Sequence, residues 1–483
     1  MLELRDLRRM TAPADPACLS TAEAAALTAQ VRETLTPTFI ANALRARLPD
    51  YRARVLTIEV VVLCVLDLVL RGLPSLRAVV RELRLGGVAG VGVLRVSHQA
   101  FAQRLVALPH TAFLHLLTHA VAALRPTAVA DPTRARLAPF ATALVGIDDT
   151  TLDAVARKSD AFPHVATGNA SGLGGRVGAA VDLVTGLIRA VAYDTDAGGN
   201  ERHRLLPLVG ALPAGSLVVF DLGYFAFDLF DALGAQFTYF VTRMKGRVEH
   251  RVVHTFVDAL DYRDQIVWLG GEASTEQMRW PVRLVQVRVA NTWWSYVTNV
   301  WDPDLLPATH VLRIYEARWN LELVFAALKR ALGLYALHTC HVNGILIQLW
   351  ATLLLYQVLG GLRAAVAHAR AWAPDEVSWE MLMEAVGTYA RSPRSQPLPA
   401  WLITHALDLD LRVAGVERRK RAPISRALRE DLQTPRAPLP LDRITPHRPR
   451  RRPDRYAAKK QTRPSEKFLA VIVHDFPLAV LLN

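Results

Sequence analysis

Along the chain, apolar positions recur first at helical spacing, then in short strand-length runs, then at helical spacing again. Between about residues 20 and 125, Thr57–Arg71, Leu76–Leu83 and Ser97–Leu108 show helical periodicity or strong helix formers, separated by a glycine-rich turn region near Gly86–Gly92. From about residue 140 the pattern becomes strand-like. Thr142–Ile147 is a short apolar run that ends in Asp148-Asp149. Arg176–Leu183 and Leu187–Tyr193 flank Val184-Thr185-Gly186 and predict a hairpin. Glu201–Leu212 predicts a helix, and Leu217–Phe220 a further buried strand ending in Asp221. Residues 236–300 are rich in Val, Thr, Tyr and Trp, with alternation as in Val282-Arg-Leu-Val-Gln-Val-Arg-Val289, and predict a β-rich block. Helices resume near Ala308 and continue to about residue 390.

Two apolar runs are long enough to weigh as membrane spans. Val55–Leu70 is short and contains Glu59 and Asp67, while Gly344–Leu362 contains Gln348 and Gln357, so both predict buried core helices. The N-terminus, Met1-Leu-Glu-Leu-Arg-Asp-Leu-Arg-Arg9, is charged throughout and predicts no targeting segment. The length of 483 residues predicts several structural units, and 51% hydrophobic with 21% charged residues is a globular composition. Three widely separated cysteines, Cys18, Cys64 and Cys340, exclude a disulfide framework and cysteine-based zinc or iron–sulfur sites.

Charge changes the picture most. Lys and Arg number 57 against 44 Asp and Glu, a net +13 that points to a polyanionic partner. Residues 417–463 hold 16 Lys/Arg and 5 Asp/Glu, hence +11 of that total, and eight prolines fall between Pro423 and Pro464. Proline at that density predicts an extended basic arm that tracks phosphates.

The order strand, hairpin, helix, strand would place Asp148 and Asp221 beyond one sheet edge if the first and last strands lie parallel, which is where ligands bind in such sheets. Adjacent carboxylates repel, and protonation or a divalent cation relieves the repulsion; oxygen-only donors suit Mg²⁺ or Mn²⁺. Either aspartate alone is as well explained as a turn or capping residue. A third carboxylate lies in Tyr315-Glu-Ala-Arg-Trp-Asn-Leu-Glu-Leu-Val-Phe-Ala-Ala-Leu-Lys329. At about 100° per residue, Tyr315, Arg318, Glu322 and Lys329 share one helical stripe about 60° wide, bordered by Trp319. A surface stripe with an Arg318–Glu322 ion pair is the plainer explanation, but it leaves the two aromatic residues unaccounted for.

The spacing Tyr-(2)-Arg-(3)-Glu-(6)-Lys, after an Asp-Asp-Thr-Thr segment and an Asp-Leu-Gly-Tyr segment, resembles the DDE transposases of bacterial insertion sequences. It is most similar to insertion sequence family four, the Y-R-E-K group, and the resemblance runs from about residue 140 to 360. It implies an α/β fold: a ribonuclease-H-like catalytic core interrupted by a β-rich insertion, with helical N-terminal and C-terminal regions. The implied organisation is a helical DNA-binding region (1–130), the first part of the core (138–235), the insertion (236–300), the second part of the core with the Y-R-E-K helix (301–370), a helical region (371–416), the basic proline-rich tail (417–465) and an apolar segment (466–483). It implies a metal-binding catalytic triad of Asp148, Asp221 and Glu322, with Asp149 as the alternative first aspartate. Tyr315, Arg318 and Lys329 would contact element-end DNA. Trp319, Trp293 and Trp294 are candidates for stacking on a flipped base. Leu222 stands where an arginine is common.

The implied activity is cut-and-paste transposition: Mg²⁺- or Mn²⁺-dependent cleavage at element ends, then strand transfer into target DNA, with two ions about 3.5–4 Å apart stabilising in-line phosphodiester transfer. The implied partners are double-stranded DNA, as transposon ends and target, and a second copy of the chain as a homodimer in the DNA complex. No membrane is involved, and the implied location is the bacterial cytoplasm, at the nucleoid. A ribonuclease-H-like nuclease and a catalytically inactive DNA-binding derivative are the alternatives. Gly172-Leu-Gly-Gly-Arg-Val-Gly178 lacks the strand before and helix after it that a dinucleotide loop needs. His338, Cys340 and His341 lack a distant fourth ligand.

Overall fold

The structure, a computed structural model, describes residues 36–413 except 46–47, 49–53, 89–90, 125–131, 154, 156–160, 163–171, 200, 247, 272–275, 290, 373–375 and 392–395, together with residue 446 and strands at 469–472 and 481–482. The chain begins with helices α1 (Pro37–Arg45), α2 (Ile58–Leu70), α3 (Leu76–Leu85), α4 (His98–Ala107), α5 (Thr111–Leu124) and the single turn α6 (Pro132–Ala135). Ser75 and Ser97 set the starts of α3 and α4, their side chains accepting from the backbone N–H of Ala78 and Ala100. Helix α2 is apolar around nearly its whole circumference, and its one buried carboxylate, Asp67, is paired with Arg71 at 3.0 Å.

Strand β1 (Leu144–Thr151) is followed by the hairpin β2 (Arg176–Asp182) and β3 (Ile188–Asp194), helix α7 (Arg202–Gly210) and strand β4 (Leu217–Phe220). A 3₁₀ turn (Leu222–Tyr224), helix α8 (Phe227–Ala235) and strand β5 (Tyr239–Arg243) come next. Strands β6 (His250–Asp258), β7 (Tyr262–Leu269), β8 (Val282–Val289) and β9 (Thr292–Thr298) form an antiparallel meander. β1, β4 and β5 are parallel and buried on both faces, as parallel strands usually are; β2 is antiparallel to β1 and to β3. Alternation divides each central strand between two cores. Val145, Ile147, Val218 and Phe220 face α7 and α8, whereas Leu144, Leu217 and Val219 pack with Val311 and Leu312.

The β-rich block over 236–300 is not a separate sheet. Its first strand, β5, extends the parallel set beside β4, and the meander joins through the β5–β9 pair. Inside the meander, Arg283 and Asp264 form a fully buried pair at 2.6 Å, completed by the Tyr262 hydroxyl at 2.9 Å and the Leu306 carbonyl at 2.6 Å.

Helices α9 (Ala308–Ala317), α10 (Asn320–Ala326) and a π-helical turn (Ala327–Ala331) lead to the 28-residue α11 (Val342–Ala369), then α12 (Trp379–Arg391) and α13 (Leu398–Thr404). Helix α11 is long and apolar enough to span a bilayer, but 89% of its most apolar window is buried against the protein. Its two internal glutamines bind neighbouring backbone: Gln348 Nε2 donates to Ala336 O at 2.8 Å, and Gln357 accepts from Ile188 N–H and donates to Ile188 O. From the C-terminal segment, β10 (Leu469–Ile472) adds antiparallel to β3, and β11 (Leu481–Leu482) pairs with β10. The basic stretch 417–465 lies outside the described residues, Pro446 excepted.

Candidate active site

Strands β1 and β4 run parallel with Ile147 opposite Phe220, so the next residue on each chain, Asp148 and Asp221, emerges at the same level of the sheet edge. Asp221 begins the 3₁₀ turn, its carboxylate accepting from Gly223 N–H at 2.8 Å. Asp148 lies on the same face of β1 as Gly146, which abuts the helix that carries Glu322. A Cβ at Gly146 would stand 2.6 Å from Leu321 Cδ1, so only glycine lets α10 approach this closely. Burial pushes the Asp148 carboxyl up to about 6, and the Asp221 charge adds to the rise; the Asp149 N–H and the Arg318 guanidinium oppose it.

The Tyr315–Lys329 stripe is carried by a broken helix rather than a continuous one. Helix α9 stops at Ala317, α10 begins at Asn320, and the last turn widens to a π-helix. Arg318 lies at the break. It is buried, and its Nη1 donates to Asp148 Oδ2 at 3.1 Å while Nη2 lies 3.8 Å from Glu322 Oε1. The guanidinium thus joins two of the three predicted carboxylates. Tyr315 is buried beneath Arg318, 5.6 Å from ring centroid to guanidinium carbon, whereas Trp319 is 44% exposed beside the same group. Lys329 donates to the Thr151 carbonyl at 2.7 Å and so ties the π-turn to the end of β1. Trp293 and Trp294 lie on β9, each under an arginine, Arg263 at 4.7 Å and Arg243 at 4.9 Å.

Asp149 occupies the opposite face of β1 and is fully buried. Its Oδ2 accepts from Arg204 Nε at 2.6 Å and lies 3.3 Å from Arg176 Nε; its Oδ1 accepts from the Tyr224 hydroxyl at 2.5 Å. Arg176 also pairs with Glu201, and Arg204 reaches Asp194 at 3.4 Å. Tyr224 belongs to the turn that begins with Asp221, so this bond ties the end of β1 to the turn after β4. Gly178 leaves room for the carboxylate: a Cβ there would lie 2.6 Å from Asp149 Oδ1. Sequence reasoning did not find Arg176, Glu201, Arg204 or Tyr224 as parts of the site. Only Tyr224 carried a local signal, its place in Asp-Leu-Gly-Tyr.

The donor chemistry suits a hard divalent cation. Asp148, Asp221 and Glu322 offer only oxygen, and the desolvated Asp148 beside Asp221 is the kind of charge a cation relieves. Among the described residues no three His, Cys, Asp or Glu side chains close around one point; Arg318 lies between Asp148 and Glu322 instead. The same holds for His338, Cys340 and His341. The glycine-rich stretch runs extended: Gly172 O and Gly174 N–H bond to Val155 and Asp153, and strand β2 follows, not a helix.

Residues 141–358 match the Transposase DDE domain family. A provisionally named transposase, y4zB, of Sinorhizobium fredii (strain NBRC 101917 / NGR234) is 24% identical over 200 residues, 36% of this chain. The chain spans about half the length of that curated relative, 53%. A solved piggyBac transposase synaptic complex with hairpin DNA aligns over 93% of this chain and 92% of its own, with a TM-score of 0.40 and 10% identity.

Proposed function

We propose that this protein is a DNA transposase of the DDE type, with Asp148, Asp221 and Glu322 as its acidic triad. The observation that carries the reading is the parallel register of β1 and β4, which sets Asp148 beside Asp221 within the span that matches the transposase domain. The strand order 3-2-1-4-5, with β1, β4 and β5 parallel and β2 antiparallel, supports a ribonuclease-H-like core. The Tyr315, Arg318, Glu322 and Lys329 spacing supports membership of insertion sequence family four.

The triad would hold Mg²⁺ or Mn²⁺, which supplies charge neutralisation for phosphodiester cleavage and transfer. The chain's own groups do the rest. Arg318, buried against Tyr315 and paired to Asp148, holds that carboxylate's orientation and presents a fixed positive charge to a phosphate at the sheet edge. Lys329 fixes the π-turn on Thr151 O, which sets the distance of α10 from β1. The half-exposed Trp319 ring offers a stacking surface for an unpaired base. The substrates are then duplex DNA at element ends and target DNA, with hydrolysis followed by strand transfer, by a homodimer in the DNA complex acting at the bacterial nucleoid.

The test is cleavage and joining of a duplex that ends in the terminal repeats flanking the gene, with Mg²⁺ present. Asp221→Asn and Glu322→Gln should abolish cleavage and leave binding to that duplex intact. Cleavage by either variant would remove that residue from the triad. Cleavage without joining by the wild type would make the protein a nuclease.

A further inference from the structure

Far from the acidic triad in sequence, helix α3 carries a second concentration of chemistry. Arg77, Arg81 and Arg84 recur at i, i+4 and i+7. At about 100° per residue they share one stripe about 60° wide, and the helix's one carboxylate, Glu82, lies about 100° away. Glu82 is already engaged, at 2.7 Å from Arg71. The opposite face, Ala78, Val79, Val80 and Leu83, is buried in the helical core, so the arginine stripe necessarily points outward. With His98 at the start of α4, the three arginines line a cleft of about 460 Å³ that contains no acidic residue.

The arginines are not equivalent. Arg84 donates through Nε at 3.0 Å and Nη2 at 2.6 Å to Val96 O, which fixes one guanidinium at the cleft wall and ties α3 to the segment before α4. Arg77 and Arg81 are exposed and make no hydrogen bond or ion pair among the described residues. Arg84 is held by backbone but has no counter-charge, and Arg77 and Arg81 make no bond to the protein among the described residues, so the stripe is a concentration of positive charge that an external anion would neutralise.

We propose that this α3–α4 cleft is a docking surface for the phosphate backbone of duplex DNA, separate from the acidic triad. The proposal rests on the transposase reading and adds to it the residues that hold the substrate outside the reaction centre. From Arg77 to Arg84 the helix rises about 10 Å. One DNA strand presents a phosphate about every 3.4 Å along the axis, so a polyanion of that spacing can meet all three groups at once. Guanidinium groups bind phosphate oxygens bidentately, and the contact carries no base information.

The experiment uses the full chain and a random-sequence 30-base-pair duplex, with binding followed by fluorescence anisotropy against salt concentration. Arg77→Gln combined with Arg81→Gln should reduce affinity at about 0.1 M salt by at least tenfold and lower the salt slope by about 2, equally for duplexes of different sequence. Arg77→Lys combined with Arg81→Lys keeps both charges and should restore the slope. Since both side chains are exposed, thermal denaturation should be unchanged; should the double variant fold poorly, Arg81→Gln alone should lower the slope by about 1. Wild-type affinity and slope in the glutamine variants would overturn the proposal while leaving the transposase reading intact, and so would a lysine variant as impaired as the glutamine one. Absence of duplex binding by the wild-type chain would instead refute the transposase reading, and this surface with it.

Discussion

Asp148 and Asp149 are adjacent in sequence, yet different outcomes follow from replacing each by asparagine. The Asp149 carboxylate is fully buried, as is its partner Arg204, and donors occupy both oxygens: Arg204 on Oδ2 and Tyr224 on Oδ1. An asparagine there has one acceptor oxygen and an NH₂ group, so one of these donors would meet another donor. It would also leave Asp194, at 3.4 Å, as the remaining ion pair of Arg204 among the described residues. Breaking a buried pair of this kind costs about 3–5 kcal/mol, which lowers the melting temperature of a chain of this size by roughly 3–5 °C, at about 2 cal/mol/K of unfolding entropy per residue. Asp148 adds an opposing effect. Its carboxyl is raised to about 6 by burial, so between about pH 4 and 6 the native chain holds a proton that the unfolded chain has released. Its stability contribution therefore falls as pH rises through that window, leaving a penalty on the order of 2–3 kcal/mol above it. Asparagine at 148 also sets its NH₂ group against one of two donors, the Asp149 N–H or Arg318 Nη1, but it removes this pH-dependent penalty; Asp148→Asn should therefore lose less stability than Asp149→Asn at pH 7.5, with the difference narrowing by pH 4, and should not cleave DNA. Differential scanning fluorimetry with a chelator present, beside a cleavage assay with Mg²⁺, measures both. An Asp149→Asn protein as stable as wild type, or an Asp148→Asn protein that loses as much stability as Asp149→Asn or still cleaves, would refute the division of labour between the two faces of β1.

Two further outcomes follow from packing and charge. Gly146→Ala places a methyl group 2.6 Å from Leu321 Cδ1, so α10 must shift away from β1; the expected cost is about 1–3 kcal/mol, with cleavage reduced more than DNA binding because Glu322 rides on that helix. Equal losses in both assays would show that α10 does not set the site. Replacing the Lys and Arg residues of 417–463 by glutamine and serine should weaken binding to any duplex and reduce its salt dependence, and unchanged filter binding on random DNA would exclude the arm. Replacement is preferable to deletion here, since β10 follows this stretch and pairs with β3.

Much of the architecture was written in local patterns. Apolar runs of strand length became β1 and β4, the Val184-Thr185-Gly186 signal became the β2–β3 turn, and α2, α3 and α4 lie within a residue or two of where their periodicity and helix formers predicted. Periodicity and capping act within a few residues, so a sequence read one window at a time contains them. The stripe of Tyr315, Arg318, Glu322 and Lys329 was also visible, but an ideal helix was the wrong geometry for it: the helix is interrupted at Arg318 and Trp319 and widens to a π-turn at Lys329, where Arg318 meets Asp148 and Lys329 meets Thr151, partners 170 and 178 residues away. The same reason governs the two aspartates. Side chains alternate across a strand, so residues that look interchangeable in sequence face different layers. Only the packing of α7 on one face and α10 on the other decided that Asp149 binds Arg204 and Tyr224 while Asp148 meets Arg318 at the open edge. Arg176, Glu201 and Arg204 had no local signal at all, because a buried ion network is defined by which charges meet after folding, and chain spacing does not encode that.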